Sequence, residues 1–333
     1  MPRVSVLLPV KNAKPFLEEC LQSIQQQTFT DWECCILDDG SSDGSAAIAQ
    51  HYINSDARFH RVEPTGEGLI AANRTLLAAG TGEFVTRMDA DDIMPKDKLA
   101  NLVRELELAM PKTIVTGRVQ FFPEENCGTG TRFYENWLNE RCDNNDHWQH
   151  IWRECVIPSP CWMMRTAELR EAECFENAVY PEDYDMAFRL FEQGFSVVSA
   201  QGVCHHWRQH ASRYSINSEN YGAAAFMQIK WNYWKKLFVK SHAPLNILGT
   251  LDKGKLLKKM VETDGFEVHW LSHKAHIAGN VIDNKMIVHY CDYPFSEGDK
   301  VISTLSSIDD HSEIYKHLKN IGVTVFCFCS VTT

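Results

Sequence analysis

Glu83-Phe84-Val85-Thr86-Arg87-Met88-Asp89-Ala90-Asp91-Asp92 passes from β-prone, mostly apolar residues straight into a cluster of carboxylates. The run through Met88 predicts a short buried strand, and the acids form the loop that ends it. Two earlier segments repeat this layout. Val4-Ser5-Val6-Leu7-Leu8 reads as a first strand, and Trp32-Glu33-Cys34-Cys35-Ile36-Leu37 as a second, followed by Asp38-Asp39-Gly40-Ser41-Ser42-Asp43. Between the strands, Phe16, Leu17, Cys20, Leu21 and Ile24 share one helical face, and Leu69, Ala72, Leu76 and Ala79 repeat the spacing. Strands alternating with helices predict an α/β, doubly wound, mostly parallel sheet whose ligands bind beyond the carboxyl ends of the strands. Both acidic loops fall on that edge.

Carboxylates gathered there repel one another unless a cation joins them, and hard oxygen ligands suit Mg²⁺ or Mn²⁺. Such a cation attracts a diphosphate in turn. The spacing of Asp89 and Asp91 lets one carboxylate reach metal or ribose while the other ligates the metal. An isolated D-x-D is most often a solvated acidic turn, since short motifs recur by accident. Two such clusters on successive strand ends shift the balance toward a site.

Five segments, in order along the chain, resemble family-2-type glycosyltransferases of the GT-A fold: Val4 through Asn12, Ser23 through Thr28, Asp38-Asp39-Gly40-Ser41, Met88 through Asp92, and Pro181-Glu182-Asp183-Tyr184-Asp185. The resemblance implies a nucleotide-sugar donor. Asp39 matches the acid that binds a uracil ring, with Pro9 and the backbone near Lys11 walling the base. Asp89 and Asp91 match the motif that holds ribose and metal, and Asp183 matches the base that deprotonates an acceptor hydroxyl, with Glu182 beside it as a second catalytic candidate. Asp183 begins an expected helix that ends before Gly194, so an N-terminal cap is the competing role.

Further along, Cys204-His205-His206-Trp207-Arg208-Gln209-His210 leads to Arg213. Here the family often has tyrosine-arginine-x-histidine, and Trp207 stands in place of the tyrosine. The resemblance implies Arg208 and Arg213 as phosphate ligands, because a guanidinium pairs two hydrogen bonds with phosphate oxygens, and His210 as a metal or phosphate ligand. Zinc at Cys204, His205 and His206 is disfavoured for want of a second ligand pair at the usual spacing. Ala71-Ala72-Asn73-Arg74 departs from the family's alanine-arginine-asparagine, and Trp162 is a minor candidate for stacking on a sugar.

With 333 residues and 44% hydrophobic content, the chain is long and apolar enough for two cores. A net charge of -11 argues against a nucleic acid partner, which needs a positive surface. No apolar stretch approaches membrane-spanning length and no signal peptide precedes the first strand, so a cytoplasmic location is expected. The twelve cysteines then read as buried thiols. Tyr221 through Phe238 predicts a long helix carrying Phe226, Trp231, Tyr233, Trp234 and Leu237 with several lysines. Core packing is the favoured reading, with a peripheral membrane contact at the inner face, beside a glycan or lipid-linked glycan acceptor, as the alternative.

The GT-A domain is expected over residues 1–240, and a small Rossmann-like α/β domain of unknown role over 244–333. In the latter, Gly249-Thr250-Leu251-Asp252-Lys253-Gly254-Lys255 has phosphate-loop spacing but is followed by Leu256 where Ser or Thr should hold Mg²⁺. A degenerate loop is the expectation. The activity implied is inverting, metal-dependent transfer from a UDP-sugar to a hydroxyl acceptor in surface polysaccharide or glycoconjugate synthesis. The alternatives are transfer to a modified tRNA nucleoside, a sugar-nucleotide nucleotidyltransferase, which would need a glycine-rich basic loop that Lys11-Asn12-Ala13-Lys14-Pro15 does not supply, and a non-catalytic nucleotide-sugar-binding module.

Overall fold

In this computed structural model, which describes residues 1–176, 178–306 and 308–329, the chain divides into two compact units. The first comprises Met1–Gln149 and Cys155–Ile216, the second His150–Glu154 and Asn217–Thr333. In the first, chain order is β1 (Val4–Val10), α1 (Lys14–Gln25), β2 (Trp32–Asp38), α2 (Ser45–Ser55), β3 (Phe59–Arg61), α3 (Leu69–Ala79), β4 (Phe84–Arg87), α4 (Lys98–Leu108), β5 (Thr113–Phe122), α5 (Thr129–Asn144), β6 (Trp162–Arg165), α6 (Thr166–Glu171), α7 (Glu182–Glu192) and β7 (Ser196–Arg208).

The described strands of this unit make one seven-stranded sheet in the order β3-β2-β1-β4-β6-β5-β7. β1 pairs in parallel with both β2 and β4, whereas β6 runs antiparallel between β4 and β5. Both faces of β1 are covered, which is why Val4, Val6, Leu7, Leu8 and Val10 form an almost unbroken apolar run and are all 1% exposed or less. From β1 the chain winds outward to β3, then crosses to β4 on β1's other side. That reversal opens a crevice at the carboxyl ends of β1 and β4, the place where doubly wound sheets bind ligands. Lys11 follows β1 there and Asp89 follows β4.

After α8 (Tyr214–Asn217), the second unit contains α9 (Ala223–Phe238), β8 (Leu245–Leu248), α10 (Asp252–Thr263), β9 (Val268–Ser272), β10 (Val281–Ile282), β11 (Lys285–His289), β12 (Lys300–Ser303), α11 (Ile308–Asn320) and β13 (Thr324–Cys327). Its sheet order is β10-β11-β9-β8-β12-β13, parallel except for the β10–β11 pair. Leu248, Leu271, Val301, Leu305, Ile314, Leu318 and Val323 form a core cluster. The two units divide before α9, whereas the sequence suggested a boundary after it.

Packing favours the core reading of the aromatic stripe of α9 over the membrane one. Trp231 is fully buried and Trp234 is 2% exposed. Trp231 stacks on Trp234 at 6.0 Å, meets Phe266 edge-on, and its indole N–H donates to Asp264 Oδ2 at 2.7 Å. Trp234, Phe238 and Phe326 surround one another, and Trp152 from the short His150–Glu154 segment joins them. Lys230 on the same helix is buried and donates to the carbonyls of Arg153 and Phe328. Among the described residues no helix is long and apolar enough to cross a membrane. Trp231→Ala should cost this unit about 3–5 kcal/mol, as truncation of a buried aromatic does; a denaturant midpoint within 1 kcal/mol of wild type would contradict a core role.

Candidate active site

The loop after β1 and the loop after β2 hold each other in place. Asn12 adopts a left-handed conformation (φ 50), its N–H donates to Ser41 Oγ at 2.9 Å, and its side-chain oxygen accepts the Ser42 N–H. Asp43 accepts the Lys14 N–H and the Ser45 hydroxyl, which ties α1 and α2 to the same turn. This lattice presents Asp39 at the sheet edge. Its Oδ2 receives Lys11 Nζ at 3.0 Å and its Oδ1 receives the Gly68 N–H at 3.3 Å. Pro9, half-buried on β1, lies opposite Leu37. Pro9, Lys11 and Asp39 thus border one crevice wall.

On the other wall, Arg87 ends β4 with its side chain 6% exposed. Nη2 meets Asp89 Oδ1 and Nη1 meets Glu182 Oε1, each at 2.9 Å. Asp89 and Glu182, which lie far apart in sequence, therefore share one cation. Glu182 is 4% exposed. Its neighbour Asp183 is half-buried and accepts the Tyr184 N–H at 2.8 Å. Pro181, not Asp183, is the N-cap of α7, but Asp183 lies in the first turn and its bond to the Tyr184 N–H keeps a helix-terminal role beside the expected one as base. Arg87 went unread in the sequence, although an arginine inside a buried strand was the available signal.

The end of β7 completes the wall. Ile93 and His206 exchange backbone hydrogen bonds at 3.1 Å, which draws the tail of β7 across the acidic loop. Arg208 N–H then donates to Asp92 Oδ1 at 2.7 Å and Arg208 Nε to the Asp91 carbonyl at 2.7 Å. Arg208 Nη2 pairs with Glu19, and the guanidinium lies over the Phe16 and Phe122 rings. Arg208 thereby shapes the loop. Arg213 bonds Gln209 Oε1 and lies over Trp207. His210 Nε2 sits 2.9 Å from Asp91 Oδ2, and its Nδ1 is 2.9 Å from Ser212 Oγ.

Behind the loop runs a buried chain that the sequence did not disclose. Lys98 Nζ donates to the Pro160 carbonyl at 2.5 Å and lies 3.4 Å from His205 Nδ1, while His205 Nε2 lies 2.8 Å from Asp92 Oδ2. Lys98, His205 and Asp92 are each 1% exposed or less. Burial lowers the proton affinity of Lys98 and, more strongly, of His205. A neutral imidazole that accepts from Lys98 and donates to Asp92 satisfies all three groups.

Negative charge is crowded here. Burial, then Asp91 and Asp89, push Asp92 well above the usual carboxylate range. Asp89 is raised by burial and by Asp91 and Glu182, against the pull of Arg87. Burial and the adjacent Glu182 push Asp183 up to about 8. No group of three or more His, Cys, Asp or Glu among the described residues forms a closed metal cage. An Mg²⁺- or Mn²⁺-type site completed by substrate phosphates needs only one or two carboxylates, and Asp91 with His210 on the open side of a charge-rich loop fits that requirement.

Two other predicted features are set apart from this edge. Trp162 is 1% exposed and belongs to the core, so it has no face to offer a sugar. Arg74 reaches outward to the Glu176 carbonyl at 3.1 Å, while Asn73 is wholly buried in α3.

A family model described as glycosyl transferase family 2 matches residues 5–170, the span that builds both walls up to β6 and α6. The chain belongs to glycosyltransferase family 2. The glycosyltransferase GlyA of Streptococcus pneumoniae serotype 4 is 34% identical over 179 residues, covering 53% of this chain and 25% of GlyA. The first curated relatives are matched over 31%, 30% and 25% of their lengths, so the chain spans less than a third of each. Among solved structures, S. aureus TarS in complex with UDP-GlcNAc superposes with a TM-score of 0.54 at 15% identity, over 78% of this chain and 71% of TarS. The mannosyltransferase PcManGT of Pyrobaculum calidifontis, in complex with GDP-Man and Mn²⁺, gives 0.51 at 23% identity, over 71% of this chain and 64% of PcManGT. At those identities the likeness is one of fold, and it places this family 2 chain in the GT-A architecture.

Proposed function

We propose that this chain is a metal-dependent, inverting glycosyltransferase that moves a sugar from a nucleoside diphosphate, UDP in the first instance, to a hydroxyl acceptor in surface-polysaccharide or glycoconjugate synthesis. The observation that carries the reading is Asp183, a half-buried carboxyl pushed up to about 8 and linked through Glu182 and Arg87 to the loop of Asp89 and Asp91. A base works best with a pKa near the operating pH, and here the burial supplies the tuning.

Each residue has a task in that reaction. Asp39 accepts the imino hydrogen of the base, exchanging its long bond to Gly68 for the ligand, while Pro9 and Lys11 bound the ring. Asp89 holds the ribose, Asp91 and His210 hold the cation, and Arg213 faces the phosphates. A divalent cation bound there supplies Lewis acidity to the departing diphosphate. Asp183 removes the proton of the acceptor hydroxyl as it attacks. Glu182 is buried on Arg87 and so is a poor covalent nucleophile, which favours single displacement with inversion. Arg208 has Nε engaged by the Asp91 carbonyl and Nη2 by Glu19, so it serves the phosphates both through the loop it shapes and through its remaining terminal nitrogen.

TarS was solved with UDP-GlcNAc and PcManGT with GDP-Man and Mn²⁺, so both nucleotides belong in the test. A thermal-shift panel of UDP- and GDP-sugars with Mn²⁺ should single out one donor, since a ligand specific to the native state raises the melting temperature by mass action. No shift with any nucleotide sugar would remove the reading. Within that panel, Asp39→Ala should weaken uridine binding about tenfold or more even without metal, the worth of one hydrogen bond to a charged group. Unaltered uridine affinity by calorimetry would leave Asp39 as a turn residue alone.

A further inference from the structure

We propose that Arg87 is the positioning residue that fixes the donor loop and the helix of the base at one working distance, with Glu182 as its counter-ion. Arg87 joins the two side chain to side chain. One arm holds Asp89 and the other holds Glu182, each at 2.9 Å. The side chain leaves the last residue of β4, in a strand whose neighbour Thr86 is itself anchored by a 2.5 Å bond from its hydroxyl to the Trp162 carbonyl. The strut therefore stands on a rigid element.

Arginine suits the task because its planar fork points two terminal nitrogens in different directions, and a lysine ammonium on a flexible stem does not. Burial raises the stakes. Arg87 and Glu182 have side chains 6% and 3% exposed, and a buried ion whose partner is removed is left uncompensated. Glu182 is accordingly a positioning residue, and Asp183, one residue along and more exposed, is left as the proton acceptor. A displacement of about 1 Å between donor and base is enough to cost a large factor in rate, so losing the strut should lower turnover.

The inference rests on the transferase reading, and the experiment separates the two. Release of nucleoside diphosphate by the wild-type full chain is measured with UDP-glucose, UDP-galactose, UDP-N-acetylglucosamine and GDP-mannose, each with Mn²⁺. Absence of release with all four overturns the reading and the inference with it. With an active donor in hand, Arg87→Met and Glu182→Gln are each expected to lower kcat at least about 50-fold with the fold retained by circular dichroism. The double variant should be no worse than Arg87→Met alone, because groups that act as one unit are non-additive.

Arg87→Lys, which keeps the charge but loses the fork, covers the case in which Arg87→Met fails to fold. It should fold and still lose at least about tenfold in kcat. Glu182→Gln should leave the donor KM within about threefold, since that arm serves the base side. Wild-type kcat in Arg87→Lys and Glu182→Gln with only a lowered melting temperature would reduce the pair to a stabilising ion pair and overturn the inference. So would losses that multiply in the double variant.

Discussion

Asp183→Asn is expected to abolish transfer while leaving the protein folded and able to bind donor. Asparagine keeps the shape and an oxygen for the Tyr184 N–H, but it cannot take a proton. General bases contribute about 10² to 10⁴ in rate, so a loss smaller than tenfold, measured with a true acceptor, would count against the role. The wild-type kcat/KM should rise with pH through about 8, as the carboxyl ionises. The variant should lack that limb.

Stability supplies an independent reading of the same group. The folded carboxyl is raised to about 8, above an unfolded value of about 3.9, so between these the native state holds a proton that the unfolded chain has released. Native stability must then fall as pH rises across that window. Asp183→Asn removes the penalty, and its melting temperature should gain on wild type as pH goes from 5 to 9. A constant difference across that range would mean Asp183 is an ordinary carboxylate.

Asp91→Ala is expected to remove cation-dependent donor binding. Even partners outside the metal's own ligand set change affinity by about 10- to 100-fold, so the loss of a direct carboxylate should weaken Mn²⁺-dependent UDP binding by at least about 100-fold. His210, 2.9 Å from the same oxygen, loses its partner as well. Binding of uridine alone should survive, because Asp39 stands on the opposite wall. Calorimetry with UDP at fixed Mn²⁺ reads this directly, and wild-type affinity in the variant would place the cation elsewhere.

What the sequence disclosed follows physical lines. Buried parallel strands show themselves as apolar runs, so β1, β2 and β4 were legible to within one or two residues, and with them the edge on which Asp39, Asp89 and Asp91 sit. The second domain's alternating pattern was legible for the same reason. Long-range pairings were not. Nothing local in Lys98 or His205 says that they form a chain with Asp92, and Arg87 gave only the weak sign of a charge inside a strand. Ser23 and Gln27, read as family markers, are structural: Ser23 Oγ accepts the Met94 N–H at 2.9 Å, while Gln27 donates to the Pro95 carbonyl and accepts the Leu99 N–H.

Two further points have plain causes. The β10–β11 hairpin turns on Asp283 and Asn284, both at positive φ (48 and 60), a pairing that favours tight hairpins, but β10 is only two residues long and too short to show strand periodicity. The aromatic stripe of α9 is favoured as core by the sequence, but one helix alone does not name what covers it. The deciding partners, Phe326 and Trp152, come from distant parts of the chain.

The central claim is that this sheet edge transfers a sugar and releases a nucleoside diphosphate. The most direct measurement is product analysis after incubation of the full chain with Mn²⁺, the nucleotide sugar selected by thermal shift, and a panel of glycan acceptors. Nucleoside diphosphate is expected in amounts equal to the new glycoside, with the anomeric configuration inverted and no pyrophosphate formed. Pyrophosphate as the product, or a glycoside of retained configuration, would contradict it.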